Sequence, residues 1–337
     1  MKRFGRIRHN FTHLISPRIF MTTACSVHID HTPIQEIISP AVFIADAHYI
    51  PSPTHTCTQA FEQALEPSPA KLDSSKSASP LESSFSFLDS SLPYPRYIGE
   101  DGLMGLLQAL MGNPPAQIFL MGDIAHLFIP HISHSADNHR DFIALLNALS
   151  QHTEIFYFEG NHDFGIDSRL LPRVRIYPRS LQPAIFSYQN TPFLLAHGDL
   201  FINKSYECYI RALSAPLTLS ALKLLDTLSL GYIYTYAQSL VNAKRIAPLH
   251  LDESGFYTFA LKRLAAYTHY MRANNLARAC NLAKPSDTDP QSTAKQAKDY
   301  ELNAQYGVIE GHFHIGRRLQ SFFALPSFYC EKRILVL

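Results

Sequence analysis

Five cysteines in a chain of 337 residues, Cys25, Cys57, Cys208, Cys280 and Cys330, make an odd and scattered set. With no C-x-x-C among them, neither a zinc ribbon nor a disulfide framework is suggested, and a reducing cytosol fits best. Charge is also scarce: acidic and basic residues are 17% of the chain and sum to +1 with histidine neutral. That balance gives no global pull toward nucleic acid. Long apolar runs are missing too. Residues 102–122 are uncharged, but Gly112-Asn113-Pro114-Pro115 breaks them into a helix and a strand. Residues 227–243 are uncharged yet hold Gln238, Asn242 and three tyrosines, which is interfacial rather than spanning chemistry. No internal repeat is visible. The first twenty residues carry Lys2, Arg3, Arg6, Arg8 and Arg18 and no acid, and polar residues and proline interrupt each apolar cluster. A secretory signal needs an unbroken apolar stretch there, so none is expected. Residues 1–40 therefore read as a basic extension. It is open between a tail lying on anionic lipid, a disordered segment, and a start set ahead of Met21.

Histidine is what the chain has in plenty, 17 in all, several of them where an apolar run gives way to a turn. Ala41-Val42-Phe43-Ile44-Ala45 reads as a buried strand running into Asp46-Ala47-His48. Gln117-Ile118-Phe119-Leu120-Met121 runs into Gly122-Asp123, and Ile155-Phe156-Tyr157-Phe158 into Gly160-Asn161-His162-Asp163. Phe193-Leu194-Leu195-Ala196 ends in His197-Gly198-Asp199, and Tyr306-Gly307-Val308-Ile309-Glu310 in Gly311-His312-Phe313-His314. Periodicity predicts helices near 100–111 and over 137–150, and a long helical stretch over 203–282. Further strands are expected near 174–178, 184–188, 318–324 and 332–337. Pro, Ser and Thr dominate residues 50–97, which read as a partly disordered insertion with one short helix near 58–65. Strand-helix alternation early and antiparallel-looking strands late suggest a layered α/β sandwich.

Polar residues at the carboxyl ends of strands are where layered α/β proteins hold ligands. Each strand end offers a carboxylate, an imidazole or an amide carbonyl, the ligand types for a borderline divalent ion such as Mn²⁺, Fe²⁺ or Zn²⁺. Two residues spaced i, i+2 both turn toward one site as the chain leaves the sheet, and a neighbouring glycine lets the backbone come close. Any one pair alone is an ordinary loop; five in the same structural position are not. Seven ligands exceed what one ion takes, so the economical reading is two ions roughly 3.5–4 Å apart, bridged by a carboxylate.

The order D-x-H, G-D, G-N-H-D, H-G-D, G-H-x-H, spread over about residues 41–325, resembles the calcineurin-like metallophosphoesterase superfamily. The resemblance implies a four-layer α/β/β/α sandwich. Its core would be residues 41–202 and 300–337, with a helical cap at 203–299 ending in a polar linker. Asp46, His48 and His314 would hold one metal, Asn161, His197 and His312 the other, and Asp123 would bridge. Two divalent ions are implied, Mn²⁺ first, with Mg²⁺, Fe²⁺ or Zn²⁺ as alternatives. His162 would serve the leaving group, with Asp163 orienting it. Where the family has G-D-x-x-D or G-D-x-x-E, this chain has His126. That position is not normally a metal ligand, so the departure bears on the hydrogen bonds around the ligands.

Between residues 200 and 284, ten Lys or Arg stand against four Asp or Glu, among many leucines and tyrosines. Arg211, Lys244 and Arg245 are the candidate substrate contacts. Two readings of these helices stay open: leucines that pack helix on helix, or a basic, greasy surface for an anionic lipid. A helical cap between the H-G-D and G-H-x-H motifs is similar to the UDP-2,3-diacylglucosamine hydrolases of lipid A synthesis. That likeness implies cleavage of a pyrophosphate to lipid X and UMP, a nucleotide-linked glycolipid substrate, and a cytoplasmic protein peripheral on the inner membrane. The best-known branch reads G-N-R-D where this chain has Gly160-Asn161-His162-Asp163, and lacks a Ser/Pro insertion, so the likeness is to a divergent branch. The alternative is a soluble metallophosphoesterase acting on a nucleotide or other phosphodiester. A nuclease is disfavoured by the charge balance, and a non-catalytic scaffold by the full ligand set. No nucleic acid partner is expected and no protein partner is inferable.

Overall fold

The computed structural model describes residues 34–51, 87–89, 94–274 and 306–337. Most of the expected N-terminal extension, most of the Ser/Pro-rich insertion and the polar linker lie outside the described residues. The first strands are β1 (Gln35–Glu36), β2 (Ala41–Ile44), β3 (Leu88–Asp89) and β4 (Arg96–Tyr97), followed by α1 (Gly102–Gly112) and β5 (Gln117–Leu120). Next come α2 (Ser133–Asn138), α3 (Arg140–Leu149), β6 (Glu154–Phe158), β7 (Val174–Tyr177), β8 (Ala184–Tyr188) and β9 (Thr191–Ala196). Four helices follow: α4 (Lys204–Leu213), α5 (Pro216–Leu228), α6 (Tyr232–Asn242) and α7 (Glu253–Ala273). The chain then runs through β10 (Gly307–Glu310), β11 (Arg317–Leu319), β12 (Phe322–Ala324), α8 (Phe328–Glu331) and β13 (Leu335–Val336).

The fold is mixed α/β. One sheet has the order β13-β2-β5-β6-β7, its middle strands parallel and β13 antiparallel at the edge. The other has the order β1-β8-β9-β10-β12-β11, with β9, β10 and β12 parallel. Strands β3 and β4 form a separate antiparallel pair.

Alternation along each strand explains the packing, because successive side chains point to opposite faces. From the first sheet, Phe43, Phe119, Phe156 and Phe158 enter one apolar cluster with Phe186, Phe193, Leu195, Ile309 and Phe323 of the second. Phe119 stacks between Phe43 and Phe156 at ring separations of 4.3 and 4.7 Å. Each phenylalanine sealed there contributes about 1.5–3 kcal/mol. The alternate residues Val42, Ile118 and Ile155 meet the leucines of α1 and α3. On the second sheet, Leu194, Val308 and Phe322 meet Phe256, Ala260, Leu264 and Tyr267 of α7.

Two expectations are corrected. The helix read over 137–150 is two helices meeting at His139, whose ring is buried rather than part of a continuous outer face. The strand read over 318–324 is a hairpin of β11 and β12, turning at Gln320 in the left-handed region (φ 51°). Strand β1, too short to show a pattern, was not expected. The long helical stretch also divides: α7 packs on the second sheet, whereas Leu219 of α5 and Tyr234 of α6 join Ile129, Ile132 and Phe164 in a small cluster of their own. No single helix among the described residues is long and apolar enough to cross a membrane, and α4 with α5, which together reach that length, bend by 52° between them.

Candidate metal centre

Asp46 and His48 follow β2, Asp123 follows β5, and Asn161 and His162 follow β6. His197 follows β9, and His312 and His314 follow β10. Parallel pairing puts the ends within each sheet side by side. The turns are tight: Asp46, His48, Asp123, His312 and His314 have φ of 50°, 42°, 51°, 68° and 53°. Left-handed backbone at a residue other than glycine costs about 1–3 kcal/mol and persists only where the surroundings demand it. Here the demand is a lattice of bonds between turns. Asp46 N–H donates to Gly122 O (3.1 Å), His48 N–H to Asp123 O (2.9 Å) and Gly311 N–H to His197 O (2.7 Å). Gly160 is needed because a Cβ there would strike the Asp123 carboxylate and backbone.

The structure brings the expected ligands together in groups. Asp46, His48 and His314 each offer an atom within 4.8 Å of the others, and so do Asp123, His197 and His312. His314 Nε2 is 3.3 Å from Asp46 Oδ1, and His197 Nε2 is 3.6 Å from Asp123 Oδ2. Asn161 Oδ1 lies 3.4 Å from His197 Nε2, and His312 Nδ1 3.2 Å from the same nitrogen. Because His197 Nδ1 faces the Met121 carbonyl at 3.0 Å, it carries the proton there and turns its Nε2 lone pair into the group. A ring held from behind in this way is how metal-binding histidines are oriented.

The electrostatics fit a cation. Burial works against charge on His197, yet Asp123, Asp46 and Asp199 pull it up to about 9, so the pocket seeks a positive charge at that point. Burial also works to raise the Asp123 carboxyl, but His197, His162, His48 and His312 hold it below the usual carboxylate range. Burial lowers His48 to about 4, and burial with His197 lowers His312 to about 4, leaving both neutral and able to donate a lone pair. His48 Nε2 is buried with no hydrogen-bond partner. An orphaned imidazole nitrogen beside a carboxylate and a second imidazole suits a divalent ion, and these buried His and Asp groups could hold one.

Asp163 does not orient the His162 ring. Its carboxylate accepts from the backbone N–H of Asp123 (2.9 Å), Ile124 (2.6 Å) and Gly160 (2.8 Å) and from Tyr157 OH (2.7 Å). The oxygens are taken by the turns after β5 and β6, and burial with Asp123 nearby pushes the carboxyl up to about 7. His162 is held instead by His126, whose carbonyl lies 2.7 Å from His162 Nδ1, while His162 N–H donates to Asp123 Oδ1 (2.8 Å).

Of the expected substrate contacts, Arg211 on α4 is exposed and pairs with Glu207 at 2.6 Å. Lys244 and Arg245 are exposed just after α6, where Lys244 N–H caps Val241 O at 3.0 Å. Two arginines near the centre have roles that the sequence did not show. Arg179 bridges Asp199 and Glu207, both at 2.7 Å, tying the turn after β9 to α4. Arg263 of α7 reaches Glu310 (2.6 Å) and the carbonyls of Leu200 (2.7 Å) and Gly198 (3.0 Å), bracing the turns that carry His197 and His312. Nothing local set them apart: Arg179 stands between Pro178 and Ser180, and Arg263 beside Lys262. Neither a scan against protein-family models nor a search of curated proteins returns a match for this chain.

Proposed function

We propose that the chain is a two-metal phosphoester hydrolase with the four-layer α/β/β/α architecture of the calcineurin-like metallophosphoesterases. Three of the four apolar clusters, one between the sheets and one under helices on each outer face, support the layer order. The observation that carries the reaction is Asp123, a buried carboxylate attracted both by His48 of one ligand group and by His197 and His312 of the other. In this reading Asp46, His48 and His314 would hold one ion and Asn161, His197 and His312 the second, with Asp123 a ligand that both would share. The ion expected first on the likeness to that superfamily is Mn²⁺, with Mg²⁺, Fe²⁺ or Zn²⁺ as alternatives. Bound there, two such cations would supply charge to neutralise phosphate oxygens and to acidify a water near neutral pH. His162 has its Nδ1 bound to the His126 carbonyl, which leaves Nε2 as the nitrogen free to protonate a departing oxygen.

The substrate we favour is a nucleotide-linked glycolipid of the UDP-2,3-diacylglucosamine type, cut at its pyrophosphate to lipid X and UMP. What supports it is the outer face of α5 and α6, where Leu217, Leu224, Leu228, Leu230 and Tyr232 are exposed rather than packed helix on helix. Apolar side chains next to Lys223, Lys244 and Arg245 suit an anionic lipid at the cytoplasmic surface of the inner membrane.

Hydrolysis of UDP-2,3-diacylglucosamine should be compared with that of bis-p-nitrophenyl phosphate, with Mn²⁺, with Mg²⁺ and with EDTA. Metal-dependent cleavage of the lipid nucleotide is expected. Cleavage of the generic diester alone would assign a soluble phosphodiesterase instead. Asp123→Ala should lose both ions and all turnover. His162→Ala should keep its metal and lose about 10²–10⁴ in rate, the usual worth of a positioned acid. A full metal complement in the Asp123 variant would sink the bridging assignment.

A further inference from the structure

His126 Nε2 lies 3.0 Å from the main-chain carbonyl of Val241, in the last turn of α6, and its Nδ1 lies 3.4 Å from His48 Nδ1. A carbonyl only accepts, so the His126 proton sits on Nε2. In the neutral ring Nδ1 is then an acceptor, and the hydrogen between the two imidazoles belongs to His48 Nδ1. That leaves His48 Nε2 with its lone pair, and Nε2 is the buried atom that has no partner in the protein. Asp46 and His314 each offer an atom within 4.8 Å of a His48 ring nitrogen. The reverse arrangement puts protons on both nitrogens of His126 and on His48 Nε2, where no acceptor waits. The second contact of His126 is also with the reaction centre: its carbonyl holds His162 Nδ1 at 2.7 Å, and the two rings stack at 5.4 Å.

At the far end of this chain of bonds, the Val241 carbonyl in the last turn of α6 already accepts the Lys244 N–H at 3.0 Å, and the ring N–H from the turn after β5 takes its second lone pair across a sequence separation of 115 residues. We propose that His126 is a positioning residue that fixes His48 as an Nε2 metal ligand and gives α6 a direct hold on the ligand set. The inference rests on the two-metal reading of the site. Coupling of this kind is reciprocal: whatever seats α6 tightens the ion at Asp46, His48 and His314, and that ion in turn seats α6.

Three full-length variants separate the two bonds. His126→Asn keeps an oxygen near the place of Nδ1 and loses the reach to Val241. His126→Gln keeps a nitrogen near the place of Nε2 and loses the acceptor for His48. His126→Phe loses both and keeps the ring's bulk. Titration with Mn²⁺ alone, read for stoichiometry and affinity by calorimetry, should give two ions in the wild type. His126→Phe and His126→Gln should weaken one of the two by about 10–100-fold and leave the other. His126→Asn should hold that ion near the wild-type value. Unchanged binding in His126→Phe, or equal weakening in His126→Asn, overturns the proposal.

Long-range ¹⁵N spectra of the wild-type histidines, metal-free and zinc-loaded, give a reading that does not depend on any variant folding. Protons are expected on His48 Nδ1 and His126 Nε2; a proton on His48 Nε2 or His126 Nδ1 overturns the inference. A wild type that takes up no metal but shows the expected tautomers would instead strike down the two-metal reading, so the two failures are distinct.

Discussion

Asp163 sits fully buried among five donors, the backbone N–H groups of Asp123, Ile124, Ala125 and Gly160 and the hydroxyl of Tyr157. Every one of them points hydrogen at oxygen, so the residue's work is to lock two turns together. Asp163→Asn would put an amide N–H₂ where one oxygen now accepts. A donor left facing a donor in a buried site costs about 1–3 kcal/mol. The turns it frees carry Asp123 and Asn161, so stability and metal content are expected to fall together, measured by denaturant midpoint and by metal analysis after dialysis. Full stability and full metal with only slower turnover would return Asp163 to a chemical role. The residue type was legible in the tetrad Gly160-Asn161-His162-Asp163, but its direction was not. Three of the five partners that claim its oxygens lie 38 to 40 residues earlier in the chain, and no local pattern marks them.

Elements show a similar division between local and distant causes. Strands β2, β5, β6, β9 and β10 were legible because each is a short run of β-branched, aromatic or leucine residues stopped by a polar turn, and those turns bear the ligands. The division of strands into two sheets was not legible, since β9 pairs with β10 across the whole helical stretch. Nor was the break between α2 and α3, where His139 turns inward. Its Nδ1 bonds to the Ser135 carbonyl at 2.8 Å, its ring packs 4.8 Å from that of Phe128, and Nε2 is left without a partner. Burial lowers its pKa to about 4, against an ordinary value of 6.5. A histidine whose folded pKa is depressed binds fewer protons folded than unfolded, so stability is lost as pH falls from about 6.5 toward about 4. The full effect is on the order of 3 kcal/mol. His139→Phe removes the titration and keeps the ring. The difference in unfolding free energy between wild type and variant should shift by that amount between pH 7.5 and pH 4. Parallel pH profiles would show that His139 is not held neutral.

Across the described residues, the turns that carry the candidate ligands are tied to α5 and α6 by a small apolar cluster and by specific polar bonds. Tyr234 OH donates to Leu127 O at 2.9 Å, His134 meets Asp226 at 2.7 Å, and His126 meets Val241. Composition could show that residues 200–284 are leucine-rich and basic, but not whether the leucines face one another or the solvent. The structure leaves Leu224 at 59% and Leu228 at 73% exposure, one turn apart on α5. On the proposed lipid reading, that face lies on the membrane, and each leucine entering the bilayer interface would add to binding in proportion to the apolar area it hides. The full chain should co-sediment with vesicles containing phosphatidylglycerol, more weakly at high salt because Lys223 and its neighbours contribute charge. Leu224→Ser with Leu228→Ser should lower the vesicle partition constant by about 10-fold or more per leucine, since burying a leucine is worth about 1.5–3 kcal/mol. The melting temperature should stay near that of the wild type, because neither side chain packs in a core. If the double variant sediments with vesicles as well as the wild type does, the exposed face is not the membrane contact. A wild type that ignores vesicles altogether would favour the soluble phosphodiesterase and leave the metal chemistry intact.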